Sequence, residues 1–200
     1  MKTTILTIAI AVSTLFGVCQ SASAKNAKEE VTTLTEVAPI SKIEIHGNVE
    51  VYLSNAAADQ IKVYNSYYAE SALVQDQAGV LRISSYKAEK LIVWVSVSDL
   101  RNLDVYDNAE VKSFGKLSAI DLDVNLYNNA SAKLNLDSYS AAITLNSHAK
   151  ADISGEANEA VIKYDFSSTL NTTNFSAKHI ARTLKSAPAN MGELTEFASL

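Results

Sequence analysis

The sequence predicts an all-β domain, a coil of short stacked strands with rungs of about 20 residues, and three observations carry that expectation. Apolar and polar residues alternate in short runs, as half-buried strands require. Between Leu103 and Lys178 one pattern is spelled four times, its copies starting at Leu103, Val124, Ile143 and Ile162, which are 21, 19 and 19 residues apart. That period is too long for one hairpin strand and too short for a strand with a full helix and its loops.

Each copy is an apolar pair, a three-residue polar break, and a small residue opening a second alternating run. Leu103 and Val105 precede Tyr106-Asp107-Asn108, then Ala109 and Val111; Val124 and Leu126 precede Tyr127-Asn128-Asn129, then Ala130 and Ala132. Ile143 and Leu145 precede Asn146-Ser147-His148, and Ile162 and Tyr164 precede Asp165-Phe166-Ser167. One parity therefore faces a shared interior, while Asp104, Asn125, Thr144 and Lys163 face water. The breaks read as corners, where Asn and Asp bond locally to backbone and tolerate left-handed conformations. A two-sheet β-sandwich is the alternative, because antiparallel strands with regular turns can mimic the period. A membrane barrel needs about 9–11 alternating residues per strand, and these runs break after two apolar positions.

In chain order, residues 1–24 read as a signal peptide. Lys2 supplies the positive end, Ile5 to Val18 is an apolar run too short to span comfortably, and Ala22-Ser23-Ala24 gives the small-x-small cleavage pattern. Phe16-Gly17-Val18 lacks the small residues that usually precede a lipidated Cys19. Removing 24 of 200 residues leaves 176, one domain's worth, with no further transmembrane segment. The net charge of −5 becomes −6 without Lys2, which argues against nucleic acid or an anionic membrane as partner. Cys19 is the only cysteine, so no disulfide supports the exported domain.

Residues 25–39 are polar and mixed in charge and read as a linker, with a short helix as the alternative. From Ile40 the β pattern begins: Ile43 and Ile45, the break His46-Gly47-Asn48, then Val49, Val51 and Leu53. This copy starts 60 residues before Leu103, three periods, with weaker pairs at Ile61 and Val63 and at Leu81 and Ile83 between them. Leu91 to Val97 is the most apolar run of the mature chain and reads as a central strand, with 99–102 its turn into the first clear copy. The domain spans 40–180, and 181–200 form a C-terminal tail or short end cap.

The run Ile43 to Leu53, the strand Leu91 to Val97 leading into Leu103-Asp104-Val105, and the polar corners followed by Ala-x-Val or Ala-x-Ala resemble the putative auto-transporter adhesin head GIN domain family. The resemblance covers about Ile40 to Lys178. It implies a right-handed β-helix-like fold and an exported, non-catalytic binding or adhesin-like module, periplasmic or at the cell surface, with an unknown envelope, glycan or surface-protein ligand. Where that family usually carries a glycine-serine-glycine corner, only Gly47 keeps a glycine here. A structural or self-assembling envelope element and a glycan-active β-helix enzyme are the alternatives.

The residues themselves point to little chemistry. His46, His148 and His179 fall on different rungs without metal-ligand spacing. Asp104, Asp107, Glu110, Asp121 and Asp123 could gather as calcium ligands or catalytic acids, but each sits where a water-facing residue is needed. No nucleophile elbow or phosphate loop occurs, so no catalytic residue, metal or cofactor is expected. The candidate binding residues are Tyr106 and Tyr127. They share one repeat position, so a coil stacks them about 4.8 Å apart, with His46 in register. Such a row can dock a sugar or protein, or simply stabilise adjacent strands.

Overall fold

The computed structural model describes residues 31–34, 38–64 and 72–185. The segment 1–24, part of the linker and residues 186–200 lie outside the described residues. The strands are β1 Val31–Leu34, β2 Lys42–Gly47, β3 Val49–Asn55, β4 Gln60–Tyr64, β5 Ala72–Gln77, β6 Val80–Ser85 and β7 Leu91–Val97. There follow β8 Asn102–Val105, β9 Glu110–Ser113, β10 Leu117–Leu126, β11 Ser131–Leu145, β12 Lys150–Tyr164 and β13 Thr169–Leu184. All belong to one mixed sheet, curled and open. One limb holds β4, β7, β3 and β9, the other β5, β6, β2, β8 and β10, and the long strands β11, β12 and β13 run through both.

The four starting positions read from the sequence lie in one parallel ladder. Val124 pairs in parallel with Leu103 on one side and Ile143 on the other, and Ile143 pairs with Ile162. All four side chains are fully buried, and each such burial contributes about 1.5–3 kcal/mol. A two-sheet sandwich is not what forms. Its strands would pair antiparallel within each sheet, whereas copies 19–21 residues apart here pair in parallel within a single sheet.

The corners behave as Asn and Asp chemistry requires. Asp107, Asn128 and Ser147 have φ of 63°, 61° and 57°, and Gly47 takes the same place with 83°. The turn closes by backbone bonds from Ala109 N to Tyr106 O and from Ala130 N to Tyr127 O, at 3.2 and 3.1 Å.

The start of the stack departs from sequence order. Ile43 pairs directly with Leu103 on one side and with Leu81 on the other, so the first copy lies inside the second. Ile61 and Val63 form no rung; they sit on β4, antiparallel to β7, and β1 pairs antiparallel beyond. Gly47 helps explain the choice. A Cβ there would lie 2.1 Å from Ser85 O, while Gly47 N donates to Asp107 Oδ2 at 3.1 Å. Only a glycine corner fits between the end of β6 and the Asp107 turn. β7 lies between β3 and β4, the interior position its apolar run predicts.

Strands also extend beyond 40–180. β1 forms a strand within the stretch read as linker, in place of a helix, and β13 continues past Ile180 to Leu184, pairing Ala181 with Val161.

Candidate functional site

The corner row is the first candidate. Tyr106 N donates to Ile45 O at 2.8 Å and Tyr127 N to Val105 O at 2.9 Å, so the parallel ladder continues into the corners. That register sets three rings one rung apart. His46 and Tyr106 stack at 4.3 Å between centroids with planes 3° apart, and Tyr106 and Tyr127 at 4.6 Å and 4°. All three are partly exposed. Burial first, then the Asp104 charge, pushes the Tyr106 phenol above its ordinary value of 10.0, so it remains a hydrogen-bond donor at neutral pH.

What the row presents is specific. Stacking covers one face of His46 and of Tyr127 and both faces of Tyr106, which leaves ring edges along the row. The column continues into Ser84, paired with His46, and Asn146, whose N bonds Leu126 O. Both are small and polar.

The carboxylates are dispersed. Asp104 is buried at 8% exposure, not water-facing as the alternation predicts, because Lys42 lies 2.8 Å away and Asn125 donates to it at 2.9 Å. Asp107 accepts from Gly47 and Asn128, and Glu110 pairs with Lys90 at 3.0 Å. Asp121 and Asp123 are exposed on β10. Among the described residues no three His, Cys, Asp or Glu side chains meet as a metal-holding group. His148 is exposed at a corner, and His179 is exposed on β13, paired with Glu159.

A second aromatic cluster has no local signal in the sequence. Tyr52 on β3 is in register with Trp94 on β7, and their rings stack at 4.9 Å; Phe114, 66% exposed, leans on Trp94 at 5.5 Å and 56°. Charged residues surround it. Tyr52 donates to Glu50 at 2.6 Å, and Lys112 reaches Glu50 at 2.6 Å while standing 5.8 Å from the Tyr52 ring centre. Outward parity of Tyr52 and Trp94 is readable, but their adjacency follows from the non-sequential strand order.

A family model described as putative auto-transporter adhesin, head GIN domain, matches residues 39–187. Among solved structures, a putative adhesin from Bacteroides fragilis is similar with a TM-score of 0.65 at 14% identity, covering 78% of this chain and 77% of that one. A putative adhesin from Parabacteroides distasonis gives 0.57 at 14% identity over 78% and 79%. A protein from the same species described as a putative lipid binding protein gives 0.59 at 10% identity over 80% and 79%. At these identities the likeness is one of fold. No curated protein matches the sequence.

Proposed function

The chain belongs to the putative auto-transporter adhesin head GIN domain family, and from that premise we propose that it is an exported, non-catalytic binding module of the cell envelope, periplasmic or surface-exposed. Its sheet acts as a right-handed β-helix-like scaffold whose outer rows meet the ligand. The observation that carries this reading is the His46, Tyr106 and Tyr127 row, held parallel to within 4° by backbone register. A rigid row of ring edges and hydroxyls loses little side-chain freedom on binding. In this proposal Tyr106 and Tyr127 contact the ligand directly. The similar folds described as adhesins support a binding role, and the carboxylates spent on Lys42, Asn125 and Lys90 support a non-catalytic one.

Self-assembly through strand pairing is disfavoured at the far end of the stack. Arg182 is in register with the buried Ile162 but exposed at the open end of that column, and its Nη2 donates to Thr172 Oγ1 at 2.9 Å. A charged side chain in that column of the edge strand blunts it against pairing. The test is a binding screen of the full chain against envelope glycans and envelope proteins, repeated with Tyr106→Ala and Tyr127→Ala. Binding should fall at least tenfold in both variants; undiminished binding removes the row from the reading.

A further inference from the structure

Among the described residues the last rung of the stack leaves the shared interior open. β13 continues the inward columns of β11 and β12, so Ile180 pairs with Ala160, Arg182 with Ile162 and Leu184 with Tyr164. One rung earlier Ala160 and Ile162 are 2% and 0% exposed, whereas Ile180 and Leu184 are 43% and 40% exposed. Arg182 is exposed between them, donates to Thr172 and, among the described residues, meets no carboxylate. The other end differs, because β1, β4 and β5 close it by antiparallel pairing.

A stack of rungs needs a terminal cap, since no further rung covers the inward face of the last one. We propose that the chain supplies this cap itself: residues 186–200, which follow directly on β13 and lie outside the described residues, fold back over Ile180, Arg182 and Leu184. This contact stands whether or not Tyr106 and Tyr127 meet a ligand.

The composition of the segment fits the opening. Leu194, Phe197 and Leu200 recur at every third residue, a spacing that sets apolar side chains along one side of a helix. As a helix, 193–200 is about 12 Å long, against about 13 Å from Ile180 to Leu184 along the strand. Residues 186–192 join the two. They include Pro188 and Gly192, residue types that end a strand and turn a chain.

Charge matches as well. β13 carries Lys178 and Arg182 and no carboxylate, while 186–200 carries Glu193 and Glu196 and no lysine or arginine. Each glutamate immediately precedes an apolar anchor, Leu194 or Phe197, so docking those anchors gives the Arg182 guanidinium the carboxylate it otherwise lacks. A second copy of the chain fits less well. End-to-end docking would set Lys178 and Arg182 of one copy against the same cations of the other.

The experiment is hydrogen exchange together with sedimentation velocity. It compares the full chain, the full chain carrying both Leu194→Ser and Phe197→Ser, and a chain ending at Lys185. Either change should speed exchange across Ile180 to Leu184 at least tenfold while altering β11 less than twofold, and the full chain should sediment as a monomer throughout. The serine variant keeps the chain length and decides the matter if the shortened chain fails to fold. Exchange across Ile180 to Leu184 that is the same with and without the two apolar anchors overturns the proposal. So does protection in the full chain that rises with concentration alongside a dimer, which would assign the opening to a second copy.

Discussion

The half of the molecule built from β8 to β13 and the half built from β1 to β7 share one core but are assembled differently. In the former each strand copy pairs with one 19–21 residues away, and polar side chains form ladders such as Asn128 to Asp107 and Asn129 to Asn108. In the latter Ile43 meets both Leu81 and Leu103, and ion pairs bind the outer faces: Lys42 with Glu44 and Asp104, Arg82 with Glu44, Lys90 and Lys112 with Glu50. Regular spacing makes register a local matter. Where the partner is 38 to 60 residues away, larger loops must close first, and specific contacts such as the Gly47 corner select the neighbour.

The sharpest way to break this contrast is at one glycine in each half. A Cβ at Gly155 would lie 2.0 Å from Leu136 O and one at Gly47 2.1 Å from Ser85 O, both at positive φ. Gly155→Val and Gly47→Val should each cost about 4 kcal/mol or prevent folding, read as soluble yield and urea midpoint. Gly155→Val should disrupt the regular ladder. Gly47→Val should release β6 while β10 to β13 retain hydrogen-exchange protection.

Next in size are the buried columns. Ile143→Ala and Ile83→Ala each remove a fully buried side chain and should cost about 2–5 kcal/mol in equilibrium unfolding. Equal losses would show one cooperative core. A smaller loss at Ile83 would show that the outer copy unfolds separately.

The electrostatic difference is tested by acid. Burial pushes the Glu50 carboxyl up, but the Lys112 and Tyr52 donors, together with the Lys112 and Lys90 charges, outweigh it and hold the group below 4.5. A carboxyl lowered in the folded state stabilises above its unfolded value, and that contribution is lost as pH falls through the folded one. The urea midpoint should therefore drop below about pH 4.5, and Glu50→Gln, less stable at pH 7 by about 1–3 kcal/mol, should show a flatter acid limb.

The smallest effect on stability concerns the two ends of the stack. β1, β4 and β5 close one end by antiparallel pairing, whereas among the described residues β13 pairs with β12 alone. Arg182→Leu should change the unfolding free energy by less than about 1 kcal/mol while producing concentration-dependent association in sedimentation velocity. A variant that stays monomeric would show that the Arg182 charge is not what blunts this edge.

Much of the regular half was legible. Val124, Ile143 and Ile162 announce their shared column by period and parity, and Asp107 and Asn128 announce left-handed corners by residue type, whereas Ser147 takes one by its place in the period alone. Asp104 was misread as water-facing because parity reports which side of a strand a residue leaves from, not whether Lys42 and Asn125 will cover it. The Tyr52 and Trp94 pair was not legible, since it depends on which strands become neighbours.

The amino-acid sequence alone determined the strand content, the period, the corner chemistry and the inward-facing set, all of which depend on residues close together in the chain. Only the tertiary structure decided that Ile43 lies between Leu81 and Leu103, that β4 pairs antiparallel with β7 and β5 with β6, and which outer side chains meet. The reason is that an apolar pair of the right parity fits any rung. Choosing among rungs depends on close approach, charge and loop closure across the whole molecule.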